Sequence, residues 1–472
     1  MSTFQHNTQA GYFVVLVLVF GAIFLTLISS LTGFIFVEQR TLLAKENREK
    51  ALQIAEAGLD YYKWFLAHFP SDITDGTGAP GPYVHQYSDP EGGVVGSFSL
   101  EIVGNQQCGE LSSIDIRSTG TSDADTSLKR RVFGRYARPS VAEYAYILNS
   151  NVWAGSDRVI LGPYHSNGGV RMDGTNNSLV TSAVQNWSCT SSFGCSPTQS
   201  VNGVFGSGTG SSLWQFPVPS VDFVGITTDL VAIKDLAKDF GLYFGPTAKG
   251  KRVVFLADGT VDVYIVNTTE SVWGFDNLDG WDRDYHIIKN DTFIGNFVIP
   301  SDCRLIFAES DVWLEGVVKD SVTLASANLI QPNIDTTILL NGDITYVSSD
   351  GSSGLTAIAE EDVLIPLLSP TDMLLSGVFI AQNGHFGRNH YTTSGSYKVP
   401  SAYNNYVIQD SLSINGTIVS NGRVGTKWTS GGNTVSGYLN RENAYDRNLV
   451  SAPPPLTPYI SSEYRFLEWR EE

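Results

Sequence analysis

The run YFVVLVLVFGAIFLTLISSLTGFIFV, Tyr12 to Val37, contains no charged side chain in 26 residues. As a helix rising 1.5 Å per residue it would be about 39 Å long, enough to cross a hydrocarbon core of about 30 Å. A secretory signal has a shorter apolar region of about 7–15 residues followed by a small-residue cleavage site. Here the chain continues instead as RTLLAKENREKALQIAEAGLDYYKWF from Arg40 to Phe65, rich in helix formers and free of proline. Leu52, Ala55, Leu59, Tyr62 and Leu66 recur at alternating spacings of three and four, which makes one apolar stripe. Glu46 and Lys50 stand at i,i+4, and Pro70 ends the pattern. The pattern predicts one helix over 12–69, apolar all round in its first half and amphipathic in its second. A plain anchor needs no such extension, whereas a helix that packs beside copies of itself does.

Residues 70–140 read as a Pro/Gly-rich linker, about 71–93, and then a small sheet. GSFSLEIV, SSIDIRSTGTS and SLKRRVFGRYARP alternate apolar and polar positions between turn signals, which predicts antiparallel strands over about 94–139 against the Leu59–Tyr62–Leu66 stripe. Beyond Pro139 a phrase recurs: apolar residues, a small or polar residue, Gly, then another strand start. VWLEGVV carries Gly316, ILLNGDITY Gly342, MLLSGVFIAQNG Gly377 and LSINGTIVSNG Gly416, with VRMDGTN and Gly174 as a looser copy. Uneven periods with glycine at corners predict stacked coils of a parallel β-helix-like domain over 141–455, with a β-sandwich as the alternative. Each coil has inward Val, Ile and Leu that only a stacked neighbour can bury. Val221–Phe244 breaks the pattern with helical spacing at Leu230, Ile233, Leu236 and Phe240; Asp222 or Thr228 is the expected cap, and covering the stack the expected role. Residues 456–472 read as a tail.

The N-terminal pattern resembles a type IV pilin. A short polar leader ends in Gly11, an aromatic residue and a long apolar run follow, and NREKALQIAEAGLDYY is similar to the N-terminal region of PilX-like minor pilins, with Ala55-Glu56-Ala57 in the matching place. The resemblance implies cleavage after Gly11 by a prepilin peptidase, a mature N-terminus at Tyr12, and passage of the helix from the inner membrane into a filament. Other pilin subunits and the assembly machinery are then the partners. Leu16 stands where major pilins carry Glu, which favours a minor subunit, and the leader has no Lys or Arg, only His6. The region beyond, with YHSNGGVRMDG, RLIFAESDVWLEGVV and PPPLTPYISSEYRFLEWREE, is similar to the β-rich C-terminal region that accompanies such N-termini. It implies an exported head on a cell-surface or extracellular filament.

Composition narrows the rest. The net charge of −18 opposes binding to phosphate backbones, so no nucleic-acid partner is expected. Lys129, Arg130, Arg131, Arg135 and Arg138 read as a solvated strand face. Cys189 and Cys195 flank TSSFG and can close a small disulfide in an oxidising compartment, while pairing of Cys108 with Cys303 is an open option. No zinc, P-loop, HExxH or GxSxG motif is present, and neither a cofactor nor a metal is expected. His385 and His390 read as loop coincidence. DNLDGWDRD, Asp276–Asp284, lacks the EF-hand order and reads as a solvated acidic loop. Asp311 and Glu315 share a strand face by alternation alone. Seven tryptophans, among them Trp153, Trp273, Trp281 and Trp428, fall in the β-rich part and suit carbohydrate or protein contacts. The pattern thus favours a structural, adhesive filament subunit. An anchored enzyme acting on surface polysaccharide would differ by gathering three or more carboxylates in one cleft, and a non-polymerising anchored adhesin by keeping its leader.

Overall fold

A computed structural model describes residues 9–70, 72–225, 229–277, 279–331 and 334–472. The expected leader, up to Asn7 and Thr8, and the expected cap Thr228 lie outside the described residues, as do the side chains of Gln9–Gly11. The chain forms two compact units.

In the first unit, helix α1 runs unbroken over Gln9–His68. Tyr12 to Val37 has every side chain exposed, and Gly33 causes no break. The second half is amphipathic as the spacing predicts: Ala55, Leu59, Tyr62 and Leu66 are buried, Leu52 is half-buried, and Ala51, Ile54, Gly58 and Phe65 widen the stripe. This face lies on a five-stranded antiparallel sheet made of β1 (Tyr83–Ser88), β2 (Val94–Gln107), β3 (Glu110–Ser122), β4 (Asp125–Ala137) and the C-terminal strand Arg465–Glu471, in that order. Two stretches depart from the sequence pattern. β1 sits inside the segment read as a linker, and the segment read as a tail supplies the fifth strand. Both carry many polar residues, because an edge strand packs only one face.

Helix and sheet approach closely at small residues. A Cβ on Gly120 would lie 2.1 Å from Ala51 O and 2.4 Å from Ala55 N, and one on Gly58 would lie 2.2 Å from Ser118 Oγ. Ala51, Ala55 and Gly58 therefore let the helix backbone rest directly on the sheet. The helix end is tied down by Tyr62 Oη donating to Asp72 O at 3.1 Å and by Tyr61 Oη donating to Asp75 Oδ1 at 3.1 Å.

The second unit is a stack of coils joined by parallel ladders, and the sandwich alternative is not what forms. Its inward Val, Ile, Leu and Phe make one continuous core. Strand Asp372–Ala381 pairs residue by residue with Ser411–Ser420, aligning Gly377 with Gly416. These two glycines mark the corner between adjacent flat faces. Their φ angles are 152° and 148°, and a Cβ on Gly416 would sit 1.8 Å from Gly377 O. Gly316, at φ 116°, turns another corner, whereas Gly342 and Gly174 do so without a positive φ.

Helix α2, Leu230–Phe240, is capped by Asp229, whose side chain accepts from Val231 N and Ala232 N at 3.0 and 3.1 Å. Of the caps expected from the sequence, Asp222 instead accepts from Val224 N in a turn of its own. Ile233 and Ala237 bury themselves against Leu305, Phe307 and Ile358 on one outer face of the stack. The Lys234 ammonium and the Tyr243 hydroxyl both bond the fully buried Glu309.

Candidate assembly helix and acidic cleft

The sequence places its candidate processing site at Gly11–Tyr12, and the structure puts both residues in the first turns of α1, with Tyr12 84% exposed. Leu16 is half exposed at 52%. From Tyr12 to Val37 the helix has apolar surface that no described residue of its own chain covers. A monomer in water cannot keep such a surface; lipid or other apolar helices must take it. Glu46 and Lys50 form the expected i,i+4 pair at 2.7 Å.

Cys189 is bonded to Cys195 and Cys108 to Cys303, so no cysteine is free. The first bridge closes a short loop beside Trp187 and Phe193. The second holds the β2–β3 turn, whose φ at Cys108 is 52°. The four arginines of the basic cluster have partners, while Lys129 is exposed. Arg135 makes a two-pronged bond to Asp115 at 2.6 and 2.9 Å, Arg130 pairs with Glu471, Arg131 lies 3.5 Å from Glu101, and Arg138 stacks 3.9 Å over Tyr459.

The acidic loop departs most from its reading. Asp276 and Gly280–Asp284 are strand residues at the tip of a long hairpin, Thr260–Asp276 with Gly280–Val298, that stands on the coil stack. The register Val272↔Asp284, Gly274↔Asp282 and Asp276↔Gly280 sets Asp276, Asp282 and Asp284 on one face. That face and the coil loops bearing Asp335, Glu361, Asp362 and His385 enclose a cleft of about 320 Å³. Asp284 is buried, not solvated; it accepts from Tyr391 Oη and Asn389 Nδ2 and meets His286 Nδ1 at 3.0 Å. Burial opposes its charge, but His286 and these donors outweigh it and hold the carboxyl at about 2.

His385 is not part of a histidine pair. Its Nδ1 lies 2.8 Å from Asp362 Oδ1 on the coil and its Nε2 3.3 Å from Asp276 Oδ2 on the hairpin. Burial pulls the imidazole down, yet Asp362, Asp276 and Glu361 carry it above its ordinary value. Glu361 is pushed up to about 7, first by burial and then by Asp362, Asp335 and Glu360. His390 points elsewhere, its ring tilted against Trp281 and Trp428, and burial lowers it. On the other face of the hairpin Trp281 lies flat against Tyr397 at 4.7 Å, and Arg283 sits 4.3 Å over Trp273.

Asp311 and Glu315 have separate partners: Asp311 accepts from Thr337 N at 2.9 Å and Glu315 from Arg252 Nε at 2.7 Å. Among the described residues no group of three or more His, Cys, Asp or Glu is arranged to hold a metal ion. The hairpin cleft escaped sequence reasoning because its carboxylates come from positions 276, 284, 335 and 362, which the coil stack alone brings together.

No protein-family model matches the chain. No curated protein matches it either. Among solved structures it is similar to the competence-associated pilin ComZ from Thermus thermophilus, at 16% identity over 90% of this chain and 97% of that one, with a TM-score of 0.29. At that score the likeness carries no argument.

Proposed function

We propose that the chain is a pilin-like subunit of a surface filament, present as a minor component, that displays its coil stack as an adhesive head. The observation that carries this reading is α1 itself. A single 60-residue helix joins an uncovered apolar half to a half packed on an antiparallel sheet. A bitopic anchor needs about 20 apolar residues and gains nothing from rigid continuation into a folded unit. A filament subunit needs that continuity, because the helix that leaves lipid must enter a bundle of like helices without bending at the head. In this reading the peptidase cuts between Gly11 and Tyr12, and a side chain at position 11 hinders approach to that bond. The partners are other pilin subunits and their assembly machinery, the membrane before assembly, and a carbohydrate or protein surface at the head.

The test is the mature N-terminus. Intact mass and cell fractionation of wild type, Gly11→Ala and Gly11→Val should show wild type beginning at Tyr12 and partly in sheared filaments, with the valine variant uncut and in the membrane. Masses that begin at Met1 in all three, differing only by the side chain at position 11, would leave the anchored adhesin in place of this reading.

The acidic cleft favours a second reading, an anchored enzyme on surface polysaccharide. It gathers more than three carboxylates, and Glu361 at about 7 can hold a proton at neutral pH. Against it, Asp362, Asp276 and Asp284 are engaged by His385, His286, Tyr391 and Asn389 rather than open to substrate. Release of reducing ends from surface polysaccharide, lost in Glu361→Gln, would establish it.

A further inference from the structure

We infer that His385 is a proton-operated clasp that holds the tip of the Thr260–Val298 hairpin onto the coil stack and releases it as the pH rises. The geometry is that of a cation between two anions on separate elements. One imidazole nitrogen faces Asp362 of the coil at 2.8 Å and the other faces Asp276 of the hairpin at 3.3 Å. A neutral imidazole has one N–H and can donate to only one of them; the protonated ring donates to both. The Asp362 carboxylate is fixed independently, because it also accepts from the His385 backbone N–H at 2.6 Å. Asp362 stands closer to the ring than Asp276, so a single remaining N–H stays with the coil, and losing the proton gives up the hairpin contact.

The surrounding charges set the direction. From the hairpin, Asp276, Asp279, Asp282 and Asp284 face the cleft with His286, while Arg283 borders it from its place over Trp273; from the coil loops, Asp335, Glu361 and Asp362 face it. Asp311 and Glu360 act from just behind, on His286 and Glu361 respectively. On the segment that follows His385, Arg388 is spent on the carbonyls of Tyr406, Val407 and Leu367. His286 is already committed to Asp284. Carboxylates outnumber the cations left to balance them, so each negative charge added pushes hairpin from coil.

Both titrating groups act in one sense. His385 is raised when clasped, so its contribution is complete below about 6.5 and is lost as the pH climbs through its raised value. Glu361, raised to about 7 first by burial, ionises over the same climb and adds one more negative charge beside Asp362 and Asp335. Asp362 is lowered, so its contribution fails only in acid, below about 3.8. The clasp is firmest near pH 5 and loosest above pH 8. At the base of the tip the hairpin stays sewn to the stack by the paired backbones of Phe275 and His390, so the released part is the turn.

Hydrogen exchange of the full chain in detergent, corrected for the intrinsic pH dependence of exchange, tests this. Amides of Asp276 and Gly280–Asp282 should lose roughly tenfold protection between pH 5 and pH 8, while the strand Met373–Ala381 stays constant as the internal reference. His385→Gln should expose the tip at both pH values and remove most of its pH dependence, and Asp276→Asn should do the same without touching the coil. If the glutamine variant also loses protection in the reference strand, the asparagine variant decides. Equal corrected protection of the wild-type tip at pH 5 and pH 8 overturns the inference. So does a pH dependence of undiminished size in His385→Gln, which would assign the effect to Glu361 alone.

Discussion

Gly120→Ala adds one methyl group where α1 meets its sheet, and the structure gives it nowhere to go. The new carbon would lie 2.1 Å from Ala51 O, 2.4 Å from Ala55 N and 3.1 Å from Ala55 Cα. All three are backbone atoms of a helix, so no rotamer relieves the contact; the helix must lift by about 1 Å or more. Overpacking of this kind costs about 1–3 kcal/mol, and an unyielding wall puts Gly120 near the upper end, about 3 kcal/mol. Gly58→Ala is the control. Its methyl meets Ser118 Oγ at 2.2 Å and Phe98 Cδ2 at 2.9 Å, both side-chain atoms, and alanine regains about 1 kcal/mol of helix propensity. Ser118 Oγ makes no hydrogen bond, so Ser118→Ala removes the obstruction at little cost. Exchange of the Ala51–Leu66 amides in the full chain should accelerate about 100-fold in Gly120→Ala. Gly58→Ala should show less than a tenth of that effect, further reduced by Ser118→Ala, which leaves Gly120→Ala unrescued. Equal effects of the two glycine substitutions, or wild-type protection in Gly120→Ala, would refute direct helix–sheet contact.

Three further outcomes follow from the second unit. Without reductant, thiol labelling should find no reactive cysteine, and Cys303→Ser should destabilise more than Cys195→Ser; the bridges span 195 and 6 residues, which chain entropy sets at about 5 and about 2 kcal/mol. Gly416→Ala should abolish protection at the corner it shares with Gly377, since it adds a left-handed strain to a 1.8 Å overlap, whereas Gly342→Ala, at a normal φ and against the Glu315 side chain, should be milder. Acid should unfold the hairpin base late: Asp284, depressed to about 2, contributes above about 3.8 and loses that contribution as the pH falls through about 2, so Asp284→Asn should flatten the acid limb of a melting-temperature profile.

The sequence was most legible where burial repeats with a fixed period. Leu59, Tyr62 and Leu66 announce their face because a helix returns every 3.6 residues, and Gly316, Gly377 and Gly416 announce corners because only glycine tolerates them there. Leu52 shows the limit of the stripe: it obeys the spacing but stands at the margin, while Ala51 and Gly58, too small to register as hydrophobic, make the closest contacts. β1 was hidden by its polar edge-strand composition. The clasp was invisible for a different reason. Asp276, Asp362 and His385 have no spacing relation, since loops of unequal length separate the coils and only the ladder register aligns them.

The irregular segment between Val221 and Phe244 follows from how the stack is wound. The chain enters at Tyr146–Leu148 and winds outward through Tyr164–Ser166 and Val180–Ser182 to Trp214–Gln215. It resumes at Leu242–Phe244 at the far end and winds back until Ile418–Ser420 pairs with Tyr146–Leu148. Along that ladder ten described strands leave nine intervals of about 4.8 Å, roughly 43 Å that must be crossed once. Residues 216–241 make the crossing, and a crossing on a bare apolar face must cover it. Val221, Phe223, Leu230, Ile233 and Leu236 pack there against residues from successive coils. An 11-residue helix advances about 16 Å of that distance. A stack wound one way would leave its two ends at opposite tips. Winding both ways from the middle brings them together, where Val141 N bonds Pro458 O at 3.0 Å and Ile460 N bonds Pro139 O at 3.0 Å. Adjacent ends are what an insertion between β4 and the C-terminal strand requires, so the helical interruption, the closing ladder and the late fifth strand are consequences of one constraint.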